Sequence, residues 1–140
     1  MNLLPTADAR HRMSKAVLDA SALMALLNQE PGISYITPEI LAEAVSSTVN
    51  LAEVQAKFVD RGIPPDRAWR ATLSVVQEVI PFTANHAKLA GDLILHTRPL
   101  GLSLGDRACL ALAVDLKAPV YTADRSWKKL DVGVRIHTIR

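Results

Sequence analysis

Four acidic residues, far apart in the chain, stand where a fold could gather them. Asp19 closes the apolar run Ala16-Val17-Leu18, and Glu53 follows Val49-Asn50-Leu51-Ala52. Asp106 ends Ser103-Leu104-Gly105-Asp106, and Asp124 ends Tyr121-Thr122-Ala123-Asp124. Carboxylates crowded together repel one another and take up protons unless a cation compensates them. A set of hard oxygen donors without Cys or His selects Mg2+ or Mn2+ over zinc. Such an ion leaves positions open for phosphate oxygens and lowers the pKa of an attacking water. The chemistry indicated is hydrolysis of a phosphate ester.

Each acid also has a plain structural role open to it. Asn50-x-x-Glu53 and Ser103-x-x-Asp106 both fit the capping box. Asp19 suits a helix cap before Ala20-Ser21-Ala22, and Asp124 suits a turn. Four such acids falling on one rim favour a shared site over four separate caps. Asp115 and Asp92 read as solvated helix faces, with Asp92 a peripheral candidate for the site. His11 lies in the N-terminal tail, His86 and His96 on one helix and His137 in the last strand, all as ordinary surface or core residues.

The elements that must position the acids follow from apolar patterning and breakers. Ala16 to Leu18 reads as a buried strand, followed by a helix over 20–28 that Glu30-Pro31-Gly32 stops. Thr37-Pro38-Glu39 caps and opens another helix. Ala44 to Ser47 is a second strand; helices follow over 50–61 and from Pro64 to about Val76. Val79 to Phe82 is a third strand, then a helix runs from Thr83 to about Thr97. Ser103 caps a strongly apolar helix to Lys117, and strands follow over 119–122 and 134–139. Short strands alternating with helices predict βαβ units and a mostly parallel sheet with helices on both faces. In such sheets ligands bind beyond the carboxyl ends of the strands. Trp69, Leu73, Phe58, Val59 and Phe82 read as core or dimer surface.

Composition narrows the classes. The chain has 140 residues, 49% of them apolar, and a mean hydropathy of +0.16. That is a single globular domain. No apolar run reaches the roughly 20 residues of a membrane helix. An aromatic content of 4% argues against a binder built on stacking platforms. One cysteine, Cys109, excludes a disulfide scaffold and reads as a small buried hydrophobe in a reducing cytoplasm. Sixteen basic against fourteen acidic residues give +2. With four acids withdrawn into a metal site, sixteen against ten leave +6, enough to attract a polyanion. Residues 1–12 read as a flexible extension and Met13-Ser14-Lys15 as a second start, so the domain is expected over 13–140.

The ordered set Val17-Leu18-Asp19-Ala20-Ser21-Ala22-Leu23, Val49-Asn50-Leu51-Ala52-Glu53-Val54, Leu102-Ser103-Leu104-Gly105-Asp106-Arg107-Ala108-Cys109-Leu110-Ala111-Leu112-Ala113 and Tyr121-Thr122-Ala123-Asp124 resembles the PIN-domain ribonucleases. The likeness is greatest to the VapC-type toxins of toxin–antitoxin pairs, and it spans essentially all of Met13–Arg140. The resemblance implies a three-layer α/β/α sandwich around a five-stranded, mostly parallel sheet. It implies Mg2+, replaceable by Mn2+, on Asp19, Glu53, Asp106 and Asp124. It also implies endonucleolytic cleavage of tRNA, rRNA or mRNA, homodimerisation, and inhibition by a cognate antitoxin protein.

Around the acids, Ser21, Asn50 and Thr122 are candidates to fix carboxylate rotamers, with simple capping as their alternative. Arg107 and Arg125 are candidate RNA-phosphate contacts, with pairing to Asp or Glu as theirs. No histidine pair is placed to recruit a 2′-hydroxyl, so activated water should leave a 5′-phosphate and a 3′-hydroxyl. Rival phosphatase readings fail on residues. A haloacid-dehalogenase-like enzyme needs Asp-x-Asp where this chain has Asp19-Ala20-Ser21, and a response-regulator receiver needs an Asp where Phe82 follows the third strand. The remaining alternatives are an RNA-processing PIN-like nuclease without an antitoxin and a noncatalytic module that binds protein or RNA.

Overall fold

The computed structural model describes residues 15–140; the expected N-terminal extension over 1–12 lies outside the described residues. Five parallel strands form one sheet: β1 Ala16–Leu18, β2 Ala44–Ser47, β3 Glu78–Ile80, β4 Val120–Thr122 and β5 Ile136–Thr138. Their order across the sheet is β3-β2-β1-β4-β5. The helices are α1 Ala20–Asn28, α2 Pro38–Leu41, α3 Thr48–Asp60, α4 Pro65–Leu73, α5 Ala84–Asp92, α6 Ile94–Thr97 and α7 Leu104–Leu116. Three short 3-10 turns join them, at Ile33–Tyr35, Arg98–Leu100 and Arg125–Lys129. The expected α/β/α sandwich is the observed architecture.

Two apolar layers flank the sheet because adjacent strand residues point to opposite faces. Val17, Val45 and Val120 pack with Cys109, Leu110 and Leu112 of α7 and with Trp127. Leu18 and Ala44 pack with Leu23 of α1, Leu51 and Val54 of α3, and Ala68 of α4. Cys109 is fully buried, as the sequence suggests. Burying each large aliphatic side chain contributes roughly 1.5–3 kcal/mol relative to leaving it exposed. Gly32, at φ +101°, takes a backbone conformation that L residues avoid, and a Cβ there would stand 2.1 Å from the Ile139 carbonyl oxygen. That close approach pins the loop after α1 to the segment leaving β5. Among the described residues no helix is long and apolar enough to cross a membrane.

Several boundaries differ from the sequence reading, each for a local reason. α3 begins at Thr48, not Asn50, because the Ser47 hydroxyl accepts from the Val49 N–H at 3.2 Å and caps it. Glu53 therefore lies in the second turn. The helix expected over 83–97 breaks at Leu93 into α5 and α6, and β3 ends before Pro81, which has no N–H to give the ladder. α4 ends at Leu73 rather than Val76. Phe58 is core, whereas Trp69, Leu73 and Val59 are 40%, 37% and 39% exposed and so lie outside the core of this chain. Phe82 is half-buried against the His86 ring. His86 and Asp115 are not merely surface groups: the buried imidazole Nε2 lies 2.8 Å from Asp115 Oδ2, and Nδ1 accepts from the Thr83 N–H. The ring thereby closes a capping box at the start of α5. Asp92 pairs with Lys88 on the exposed face of α5.

Candidate metal site at the carboxyl ends of the strands

The chain order reverses across β1, whose neighbours β2 and β4 are reached in opposite directions. Such a switch point opens a crevice beyond the carboxyl ends of the strands. Asp19 follows β1 and Asp124 follows β4, so both stand at that crevice.

Asp19 is held from every side. It caps α1, its Oδ1 accepting from the Ala22 N–H at 2.8 Å and from the Ser21 hydroxyl at 2.7 Å. Its Oδ2 accepts from the Thr122 hydroxyl at 2.5 Å, across from β4. The Ser21 hydroxyl in turn accepts from the Ala123 N–H at 2.9 Å, tying the start of α1 to the end of β4. Asp19 is only 2% exposed. Burial pushes its pKa up to about 6 against the three hydrogen bonds that lower it, and the nearby Asp106 charge adds to the rise.

Glu53 is brought in by the approach of α3 to α7. Its Oε1 accepts from Asn50 Nδ2 at 3.1 Å, and the same amide donates to the Gly105 carbonyl at 3.1 Å. A Cβ on Gly105 would fall 1.9 Å from Glu53 Oε1, so the carboxylate occupies space that only glycine leaves open. Burial raises the Glu53 pKa and Asp106 adds to it, while the Asn50 bond and the Lys57 ammonium oppose the rise. Asp106 closes the capping box of α7: its Oδ2 accepts from the Ser103 N–H at 3.0 Å and its N–H donates to the Ser103 hydroxyl at 3.1 Å. The buried Cys109 thiol, one turn further along α7, is pushed well up by burial and by the charges of Asp19, Asp106 and Glu53. Asp106 therefore acts on both Asp19 and Glu53, and all three act on Cys109.

Asp124 is turned differently. Its Oδ1 accepts from the Ser126 N–H at 2.9 Å and hydroxyl at 2.7 Å, capping the 3-10 turn, while its own N–H donates to the Thr122 hydroxyl at 3.1 Å. Among the described residues no three His, Cys, Asp or Glu side chains lie in ready ion-holding geometry. Asp106 and Asp124 each give one oxygen to a local backbone amide and keep the other. The donor set nevertheless fits a hard divalent cation, being all carboxylate, with Asp106 repelling both Asp19 and Glu53 and with Glu53 in the space left by Gly105. Asn50 Oδ1 is buried beside it without a hydrogen-bond partner among the described residues.

The remaining candidates sort by position. Ser21, Asn50 and Thr122 all touch the carboxylates of Asp19 or Glu53. Arg107 is half-buried, and its Nη1 donates to the Ala90 carbonyl at 2.9 Å rather than to a carboxylate, joining α7 to α5. Arg125 is exposed beside Asp124. Sequence reasoning passed over Gly105, Lys57 and Trp127. A glycine in the first turn of a strong helix was the signal for the first. Lys57 stands four residues after Glu53, a spacing that brings helical side chains together. Trp127 is fully buried and anchors the turn that begins at Asp124.

A search of curated proteins returns no match to this sequence. Solved structures share the fold at low identity. VapBC2 from Rickettsia felis bound to a promoter DNA fragment is 20% identical with a TM-score of 0.69, covering 88% of this chain and 97% of that one. A toxin–antitoxin complex from Klebsiella pneumoniae gives 17% and 0.71, covering 90% and 98%. VapC20 of Mycobacterium tuberculosis, a toxin that cleaves the sarcin–ricin loop, gives 20% and 0.67, covering 86% and 99%. Residues 16–133 match the model of the PIN domain, and that stretch contains β1 to β4 and all four acids. With most of its length inside that match, the chain belongs to the PIN-domain family.

Proposed function

We propose that this protein is a metal-dependent endoribonuclease and the toxin of a toxin–antitoxin pair. The observation that carries the reading is the PIN-domain match over residues 16–133, which contains Asp19, Glu53, Asp106 and Asp124, with Asp106 close enough to act on both Asp19 and Glu53. Its structural neighbours support the biological role: one is a toxin cleaving the sarcin–ricin loop and others are toxin–antitoxin complexes. Mg2+ or Mn2+ bound by Asp19, Glu53, Asp106 and Asp124 would act as Lewis acid toward the phosphate and acidify a water.

The chain's own residues do the rest. Ser21, Ala22 and Thr122 hold Asp19 in one rotamer, so that carboxylate needs little reorganisation to receive a charge. Asn50 fixes Glu53 through Oε1 and leaves Oε2 to bind the metal or orient the attacking water. Its raised pKa makes Glu53 a stronger base than a free carboxylate. Arg125, exposed beside Asp124, is placed to meet a substrate phosphate. The products are a 5′-phosphate and a 3′-hydroxyl. The RNA target lies among tRNA, rRNA and mRNA, the protein is a cytoplasmic homodimer, and a cognate antitoxin covers the crevice.

The test uses the purified full chain. RNA should be cut when Mg2+ or Mn2+ is added and left intact with a chelator. Asp19→Asn should fold, as judged by circular dichroism, and cut at least about a thousandfold more slowly. An Asp19→Asn protein that cuts at the wild-type rate ends this reading.

A further inference from the structure

A depression lined by described residues lies away from the acids. It has a volume of about 610 Å3 and is lined by the segments entering β4 and β5, including Lys117, Gly133 and Arg135, and by Tyr121 and His137 on the strands themselves. That is within the roughly 300–1,000 Å3 of small-molecule sites. Tyr121 and His137 are register partners on the adjacent parallel strands, so their rings lie on one face of the sheet. The rings stack with centroids 4.8 Å apart and planes 20° from parallel. His137 is exposed and Tyr121 half-buried. None of the described residues lining the depression is acidic. Lys117 and Arg135, both exposed, make no ion pair among the described residues.

A second depression of about 350 Å3 shares Tyr121 and His137 and continues through Tyr35 and Thr138 to Ile139. Together the two form a groove along β4 and β5, from the cationic end toward the carboxyl edge where the acids stand. Lys117, at the mouth of the groove, is also the residue that ends α7. It sits at φ +53°, a left-handed position where glycine or asparagine is usual after a helix.

Resting on the ribonuclease reading, we propose that this groove holds the single-stranded RNA that flanks the cleavage site. One base stacks on the Tyr121–His137 pair, and the adjoining phosphate lies between Lys117 and Arg135. Stacking tolerates any base, because every base has a π-face, and the two cations supply a salt-sensitive contact. The groove therefore adds affinity for unpaired RNA without reading its sequence.

The experiment measures binding of a short, unstructured, fluorescein-labelled RNA to the full chain carrying Asp19→Asn, by anisotropy across a salt series. In that background His137→Ala should weaken binding about fivefold or more. Arg135→Gln and Lys117→Asn should each weaken it and lower the slope of log K against log salt by roughly 0.7. Lys117→Asn should not lower Tm, since asparagine tolerates the left-handed backbone. The proposal is overturned if the three variants bind RNA with unchanged affinity and slope while wild type cuts RNA. Wild type that neither binds nor cuts RNA with Mn2+ removes the ribonuclease reading and this inference with it.

Discussion

Asp19 carries the largest electrostatic cost among the described acids, and the sign of its effect on stability follows directly. Its carboxyl titrates near 3.8 when unfolded and is pushed up to about 6 in the fold by burial. Between those values the native state binds more protons than the unfolded state, so stability falls as pH rises through the window. The stability contributed by the neutral acid is whole below about pH 4 and gone above about pH 6. The difference corresponds to at most about 3 kcal/mol. Asp19→Asn keeps the shape and a carbonyl acceptor for Ser21 and Ala22, and Thr122 can reorient to accept from the new amide. In chelator, urea unfolding of wild type should therefore show stability dropping across this window, while Asp19→Asn should stay nearly level and be the more stable protein near neutrality. A variant less stable than wild type near neutrality would show that the hydrogen bonds to Asp19 outweigh its burial.

At the scale of elements, the site depends on how closely α7 approaches α3. Gly105 sits where an added Cβ would meet the Glu53 carboxylate, and that carboxylate is the far end of a flexible side chain. Gly105→Ala should hence cost little stability: alanine gains up to about 1 kcal/mol in a helix, and Glu53 can swing aside. Activity should fall at least about tenfold, because Glu53 leaves its bond to Asn50. Cleavage rate and Tm measured together check this; a large fall in Tm would mean that the helices separate instead. The same contact shows what the sequence could and could not disclose. Leu18 before Asp19, Ser103 before Asp106 and the apolar run of α7 announce strand, cap and helix through local patterns, so the sheet and the positions of Asp19 and Asp106 were legible. Nothing local says that Gly105 faces Glu53, since the two are distant in the chain. Ser47 displaced Asn50 as the cap of α3 for a related reason: both are good caps, and the burial of Asn50 against Gly105 decides between them. Trp69 and Leu73 read as apolar partners four residues apart, but only tertiary packing tells which face of α4 is covered. The stacked Tyr121–His137 pair needed the register of β4 against β5, which residue types alone do not supply.

For the whole molecule, an ion that compensates the acids must couple stability, pH and cleavage together. A ligand that binds only the folded state adds RT ln(1 + [L]/Kd), about 2.7 kcal/mol at a hundredfold excess over Kd. Metal binding also needs ionised carboxylates, so its contribution grows as pH rises, opposite to the trend of the metal-free protein. Mn2+ should therefore raise Tm more near neutrality than at about pH 5, where Asp19 is largely protonated. The acids should not contribute alike. Asp106 raises the pKa of both Asp19 and Glu53, so Asp106→Asn should ease the metal-free protein while abolishing most of the Mn2+ response. Asp124 caps the 3-10 turn through Oδ1, an acceptor that asparagine keeps, so Asp124→Asn should hold its stability without Mn2+ and lose affinity with it. Thermal unfolding of wild type and both variants, with and without Mn2+, separates these outcomes. Equal Mn2+ shifts in all three proteins would place the ion elsewhere and leave Asp106 and Asp124 as caps.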